Sequence, residues 1–360
     1  MSDSGFARLG EASMAAKFLL YLAAFVIVIA GLREAQALIV PFLMSGFIAI
    51  IAAPALFWLR KRGLPSWLAL TVALLGVVVV GGVVSALIGG SIHEFARDLP
   101  VYQARLSVLY QGVLGQLQAW GVGGLDREFA DLFDPRAAIG FAGSLFNSLG
   151  GTLANTFLIL LTVLFLLAEA TVMEAKLRAI ADDPERLMTH VEAMFREVNR
   201  YIAIKTLTSL GTGMAVALWL WVLGVDYAAL WGLLAFLLNY VPNIGSVIAA
   251  APALLLTLVQ LGVPATAWAG MGYLLINVLV GNVLEPRYMG RSLGLSGLVV
   301  FLSLVFWGWV LGMVGMFLSV PLTITLKIVM SADPRTAWAA VLLGGGQDLR
   351  QSEEGGSSRA

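Results

Sequence analysis

The chain of 360 residues contains no cysteine. Disulfides, thiolate-bound zinc, iron–sulfur clusters and a thiol nucleophile are therefore excluded. Charge is scarce as well: 12% of residues are Asp, Glu, Lys or Arg, against about a quarter in soluble domains. Lys and Arg number 22 and Asp and Glu 22, so no basic excess points to nucleic acid as a partner. The two histidines, His93 and His190, lie far apart. No Walker A loop or HExxH occurs, which counts against an ATPase and a metalloprotease. The reading is of a protein that is not an enzyme, with no catalytic residue, no metal and no cofactor.

What the chain has is apolar surface: 59% hydrophobic residues and a mean hydropathy of +0.90. Such a composition belongs in a bilayer, where helices satisfy their own backbone. The expected fold class is all-α, a polytopic membrane protein with two broken or re-entrant helical hairpins and one amphipathic helical insert. A polar tail, 1–16, precedes membrane helices 1–3 over 17–92. The first apolar run has no small-residue cleavage signature and reads as a retained span. The second holds Pro41 and Pro54 and ends in Arg60-Lys61-Arg62, the densest basic cluster.

Residues 93–146 differ, leaning acidic. Leu106, Leu109, Val113 and Leu117 recur at helical spacing, an amphipathic stripe for the membrane surface, the same subunit or a neighbouring one. Membrane helix 4 follows at 147–168, then a charged helical segment at 169–200 with a helix start at Asp183-Pro184. The C-terminal membrane region, 201–330, carries the broken hairpins, and 331–360 reads as a disordered tail. With the basic cluster placed in the cytoplasm, both tails and 169–200 lie inside and the insert lies outside. Hairpin arms short of the roughly 20 residues of a full span favour re-entry over crossing.

The break itself is Val241-Pro242-Asn243-Ile244-Gly245, between two apolar helices. Proline lacks the amide for a helical hydrogen bond, and Asn243 can bond the freed groups or cap the next helix. A simple turn and a transporter-type broken helix lining a polar cavity both fit this stretch. Further along, 293–330 is too long for one span and is interrupted at Gly312-Met313-Val314-Gly315 and again at Ser319-Val320-Pro321. The polar groups in these segments are the functional candidates, since burying them in hydrocarbon is costly. Asn239, Asn243, Asn277 and Asn282 offer amides that both donate and accept. Glu285, before Pro286, either couples a proton to transport or pairs with Arg287. Lys205 reads as a snorkelling residue near a span end.

Three stretches resemble one known family. They are Leu230–Ser246, LWGLLAFLLNYVPNIGS; Asn277–Gly294, NVLVGNVLEPRYMGRSLG; and Trp307–Pro321, WGWVLGMVGMFLSVP, with Tyr201–Thr206 upstream. Their order is similar to that of the autoinducer-2 exporter family, the PerM-like permeases, over nearly the whole chain. The resemblance implies a bacterial inner-membrane protein of about eight membrane segments and a homo-oligomer, pentamers being known in the family. Pro242, Asn243 and Gly245 would form the break, and Gly312, Gly315 and Pro321 would shape the last hairpin. It implies an exporter of a small polar solute, autoinducer-2 or a related signal. A monovalent cation/proton antiporter is the alternative, and a non-transporting membrane scaffold the second. Membrane lipid and a small polar solute are the expected partners.

Overall fold

The structure, a computed structural model, describes residues 14–119, 156–180, 183–242, 244–289, 295–332 and 336–345. Among the described residues every regular element is helical. In chain order they are α1 (Met14–Glu34), α2 (Gln36–Lys61), α3 (Ser66–Ala119), α4 (Thr156–Ala170), α5 (Met173–Ile180) and α6 (Pro184–Val222). Then come α7 (Ala228–Leu238), α8 (Ile244–Leu261), α9 (Val263–Asn277), a π-helical turn (Val278–Leu284), α10 (Glu285–Met289), α11 (Gly297–Ala332) and α12 (Ala337–Leu343). Among the described residues six stretches are long and apolar enough to cross a membrane: Gln36–Lys61, Ser66–Phe95, Phe195–Val222, Ile244–Leu261, Val263–Leu284 and Gly297–Ser331. Thr156–Ala170 and Ala228–Leu238 are shorter apolar helices. The expected all-α polytopic membrane fold is the observed one.

Several expected boundaries move, each because a helix continues where polarity changes. The third span and the start of the insert form one helix, α3, with Pro100 inside it. Likewise the charged segment and the fifth span join as α6. A backbone that satisfies its own hydrogen bonds has no reason to stop at the edge of the apolar region. Pro41 and Pro54 are both accommodated inside α2. The Ser45 hydroxyl, fully buried, donates to the Pro41 carbonyl at 2.6 Å and lies 3.2 Å from the Ile159 carbonyl, tying α2 to α4. The segment expected to be a disordered tail includes α12, which packs on α11; the Ser296 amide donates to the Leu343 carbonyl at 3.2 Å.

Cross-contacts give the direction of each element. Gln260 Nε2 donates to the Gly224 carbonyl at 3.1 Å, and Gln260 Oε1 accepts from the Asp226 amide at 2.9 Å. Both feet of the α7–α8 pair, hairpin A, therefore stand at one end of α6. From there α7 runs antiparallel along α6. Gly213 and Gly232 let the two backbones touch; a Cβ on Gly232 would lie 2.6 Å from the Gly213 carbonyl oxygen. α9 also runs antiparallel to α6, from the Trp219 Nε1 bond to the Trp268 carbonyl (3.1 Å) down to Lys205 and Glu285.

α11 is hairpin B. Its chain turns at Gly312, whose φ of 67° and ψ of −149° lie in a region open essentially to glycine alone. Trp307 Nε1 donates to Thr323 Oγ1 at 3.1 Å, although 16 residues of straight helix would separate them by about 24 Å. A Cβ on Gly315 would overlap the Trp307 carbonyl, so glycine is required where the arms meet. Of the two interruptions expected here, Gly312 alone has non-helical angles; Pro321 is inside the returning arm and buried. The turn lies beside Gln36 at the head of α2, away from Arg60–Lys61. Hairpins A and B thus enter the bundle from opposite ends.

Candidate functional site

The tip of hairpin A ends α7 and starts α8 in very little space. The Gly245 amide donates to the Val241 carbonyl at 3.2 Å, and the Ile244 amide approaches the Pro242 carbonyl at 2.6 Å. A Cβ on Gly245 would overlap the Leu238 carbonyl; only a residue without one lets α8 leave α7 so closely. Pro242 is half-buried at this turn. Asn243 lies outside the described residues.

The tip faces a polar strip on α6. Asn239 Nδ2 donates to Ser209 Oγ at 2.9 Å. Tyr240 donates its hydroxyl to Thr206 Oγ1 at 2.7 Å, and Thr206 passes its own proton to the Ile202 carbonyl at 2.7 Å. Lys205, Thr208, Ser209 and Thr212 are all buried on the same helix. Thr208 and Thr212 bond back to the carbonyls of Lys205 and Thr208, leaving lone pairs free to accept. The Tyr240 ring is enclosed by Phe47, Phe236 and Phe317, at centroid distances of 5.7, 5.8 and 4.4 Å. Phe317 belongs to hairpin B, so the two hairpins meet at this ring.

Lys205 Nζ lies 2.7 and 2.9 Å from the two carboxylate oxygens of Glu285. The side chains are 6% and 19% exposed. Two sequence expectations are corrected here. Among the described residues Glu285 pairs with Lys205, not with Arg287, because α9 and its π-helical turn deliver it to α6 rather than to a free loop. Lys205 does not snorkel: α6 begins at Pro184, so this lysine sits well within a helix, and its ammonium is held by Glu285. The π-helical turn itself, Val278–Leu284, directly precedes Glu285, and such widened turns frequently occur at functional sites.

The other sequence candidates scatter. Asn277 closes α9 and is half-buried, while Asn282 is exposed on the π-helical turn. Neither joins the tip of hairpin A. Pro286 is in α10 next to the ion pair. Gly312 lies at the turn of hairpin B and Gly315 where its arms meet, whereas Pro321 lies inside the returning arm and does not turn the chain. Ser209, Thr206, Tyr240 and Lys205 were not singled out as site residues, although the run Lys205-Thr206 through Thr212 is unusually polar for a span.

A second polar cluster braces the feet of hairpin A. Tyr102 donates to Asp226 Oδ2 at 2.8 Å, and Tyr227 donates to Asp98 Oδ2 at 2.6 Å. Each partner thus supplies one tyrosine and one carboxylate. Phe95 packs on Tyr102, Tyr227 and Trp231, and Trp231 Nε1 donates to the Asp226 carbonyl at 3.0 Å. The Tyr227 bond pulls Asp98 below the usual 3.8 of its carboxyl. Burial, with the Asp98 bond behind it, pushes the Tyr227 hydroxyl up to about 12. Leu106, from the expected apolar stripe, packs within the subunit against the core beneath this brace; the side chains of Leu109, Val113 and Leu117 lie outside the described residues.

The sequence profile described as AI-2E family transporter matches residues 20–335. A relative described as "Putative transport protein" from Haemophilus influenzae is 41% identical over 338 residues, covering 92% of this chain and 97% of its own. The AI-2 transport protein TqsA of Escherichia coli is 40% identical over 327 residues, covering 91% of this chain and 95% of its own. A multi-pass membrane fold, opposed hairpins meeting at a buried polar strip, and similarity of this extent have one consequence: the chain is a membrane transporter and belongs to the AI-2E transporter family.

Proposed function

We propose that the protein exports a small polar solute, with autoinducer-2 the first candidate, across the bacterial inner membrane by ion-coupled secondary transport. The observation that carries this reading is the buried strip of hydroxyls, amide and ion pair where the tip of hairpin A meets α6. A scaffold gains nothing from desolvating a lysine, a carboxylate and six hydroxyl or amide groups in hydrocarbon. A solute with several hydroxyls can replace these internal bonds one for one. The transport protein TqsA supports autoinducer-2 as the first solute to test. Cation/proton antiport is the second reading, and Glu285 favours it: a carboxylate held by one lysine can take a metal cation in the ammonium's place. With Arg60–Lys61–Arg62 facing the cytoplasm, hairpin A enters from outside and hairpin B from inside. A homo-oligomer, pentameric as the family resemblance implies, is the proposed assembly.

The test is flux of autoinducer-2 in proteoliposomes, with and without pH or sodium gradients. Asn243→Ala is expected to lower flux under every gradient, by up to the roughly 1–3 kcal/mol of one unpaired group. Glu285→Gln keeps the shape and removes the charge, so the response to the gradients should change. Parent rates in both variants under all gradients would place the site elsewhere, and loss of assembly would favour the scaffold.

A further inference from the structure

Tyr273 carries a hydroxyl that nothing described so far uses. The residue lies on α9, is 3% exposed, and belongs to the core cluster formed with Val216 and Leu220 of α6 and Ala249 and Ala253 of α8. Its oxygen is fully buried and has no hydrogen-bond partner among the described residues. Buried hydroxyls are nearly always bonded, so each exception calls for a physical reason. Phenylalanine would fill the same space without that cost.

The position supplies a reason. Along α9, Tyr273 falls between Trp268, level with Trp219, and Glu285, level with Lys205. It therefore stands partway between the polar strip and the feet of hairpin A at Gly224 and Gln260. The seam around it is built from small residues. Ala249 and Ala253 of α8 and Ala269 of α9 are fully buried, and a Cβ on Gly270 of α9 would meet Leu254 of α8 only at 3.8 Å, while Gly272 faces α6 against the Trp219 ring. Small side chains let the α8 and α9 backbones lie close together here, so parting them withdraws little interlocked bulk at these positions. Thr257, also fully buried on α8, bonds its hydroxyl to its own Ala253 carbonyl.

We propose that the solute leaves the hairpin A site along the seam between α8 and α9, and that the Tyr273 hydroxyl is a binding station on that route. It donates a hydrogen bond to an oxygen of a hydroxylated or carbonyl-bearing solute. In the state seen here the seam is shut and the donor is unpaired; with solute in the seam it is paired. This rests on the export reading above, and the test separates the two.

Tyr273→Phe is compared with the parent in thermal unfolding in detergent and in autoinducer-2 flux from proteoliposomes. Removing an orphaned donor should raise the melting temperature by roughly 2 °C or more. Flux should fall roughly fivefold, the worth of one hydrogen bond. Stabilisation of the parent by added autoinducer-2 should shrink in the variant. A lower melting temperature would mean that the hydroxyl is already bonded in the closed state, for instance by an internal water, and would overturn the proposal. So would a variant that melts higher but carries autoinducer-2 at the parent rate. If the parent itself carries no autoinducer-2, the solute assignment fails, and the direction of the melting shift still decides whether the donor is an orphan.

Discussion

At the scale of single residues, the Lys205–Glu285 pair dominates. Charges this deep gain from each other only while both are present; removing one leaves the other uncompensated. Lys205→Met alone and Glu285→Leu alone are each expected to cost about 3–5 kcal/mol of stability. The double substitution should return close to the parent, because two apolar side chains of similar volume replace the pair without a desolvation penalty. Thermal unfolding of the four proteins checks this; single variants as stable as the parent would mean that the pair is solvated. This pair was half legible. The cost of burying Glu285 singles it out, but its partner is 80 residues away in sequence. Charge pairs within a few residues can be read from the chain, whereas a pair made by two antiparallel helices depends on their register.

At the scale of elements, the hairpins were the most legible feature. Proline and glycine at Pro242 and Gly245 mark a backbone that cannot continue as a helix, and the structure turns there. In hairpin B, Gly312 and Pro321 look equally disruptive in sequence, yet one turns the chain and the other does not. The difference is that a proline costs a helix one amide, whereas the angles at Gly312 are forbidden to side chains altogether. The brace between α3 and the feet of hairpin A was not legible, since Asp98 and Tyr227 pair across 129 residues. Its pH dependence follows from the shifts. Asp98 is lowered from 3.8, so its contribution is present above that value and fades as pH falls through the depressed one. Tyr227 rises from 10 to about 12, so its contribution is complete below 10 and is lost on the way to 12. Protection of the 96–106 backbone against hydrogen exchange, corrected for intrinsic rate, should be flat from pH 5 to 9 and fall above about 10. Tyr227→Phe should remove the alkaline fall attributable to this pair. Unchanged protection in that variant at neutral pH and above would mean that the aromatic packing of Phe95 holds α3 alone.

At the scale of the whole molecule, two hairpins enter from opposite ends and touch through Tyr240 and Phe317. Tight glycine contacts at Gly213, Gly232 and Gly272 surround the first hairpin. A bundle so arranged places the polar strip of α6 against the tip of hairpin A, with hairpin B touching that tip at Tyr240. Large apolar residues such as Leu218, Trp221 and Leu274 remain exposed outside it, at 61%, 70% and 69%, as lipid or a second subunit requires. The central claim is that the strip between α6 and hairpin A handles solute and is more than a fastening. Lys205→Met combined with Glu285→Leu separates the two, because it keeps the packing and deletes the charges. The decisive measurement is autoinducer-2 flux from proteoliposomes holding this double variant, matched to the parent for amount and melting temperature. The account predicts a folded protein whose flux no longer responds to a pH or sodium gradient and falls at least tenfold, about 1.4 kcal/mol. A double variant that folds and carries autoinducer-2 at the parent rate, with the gradient response intact, would contradict it.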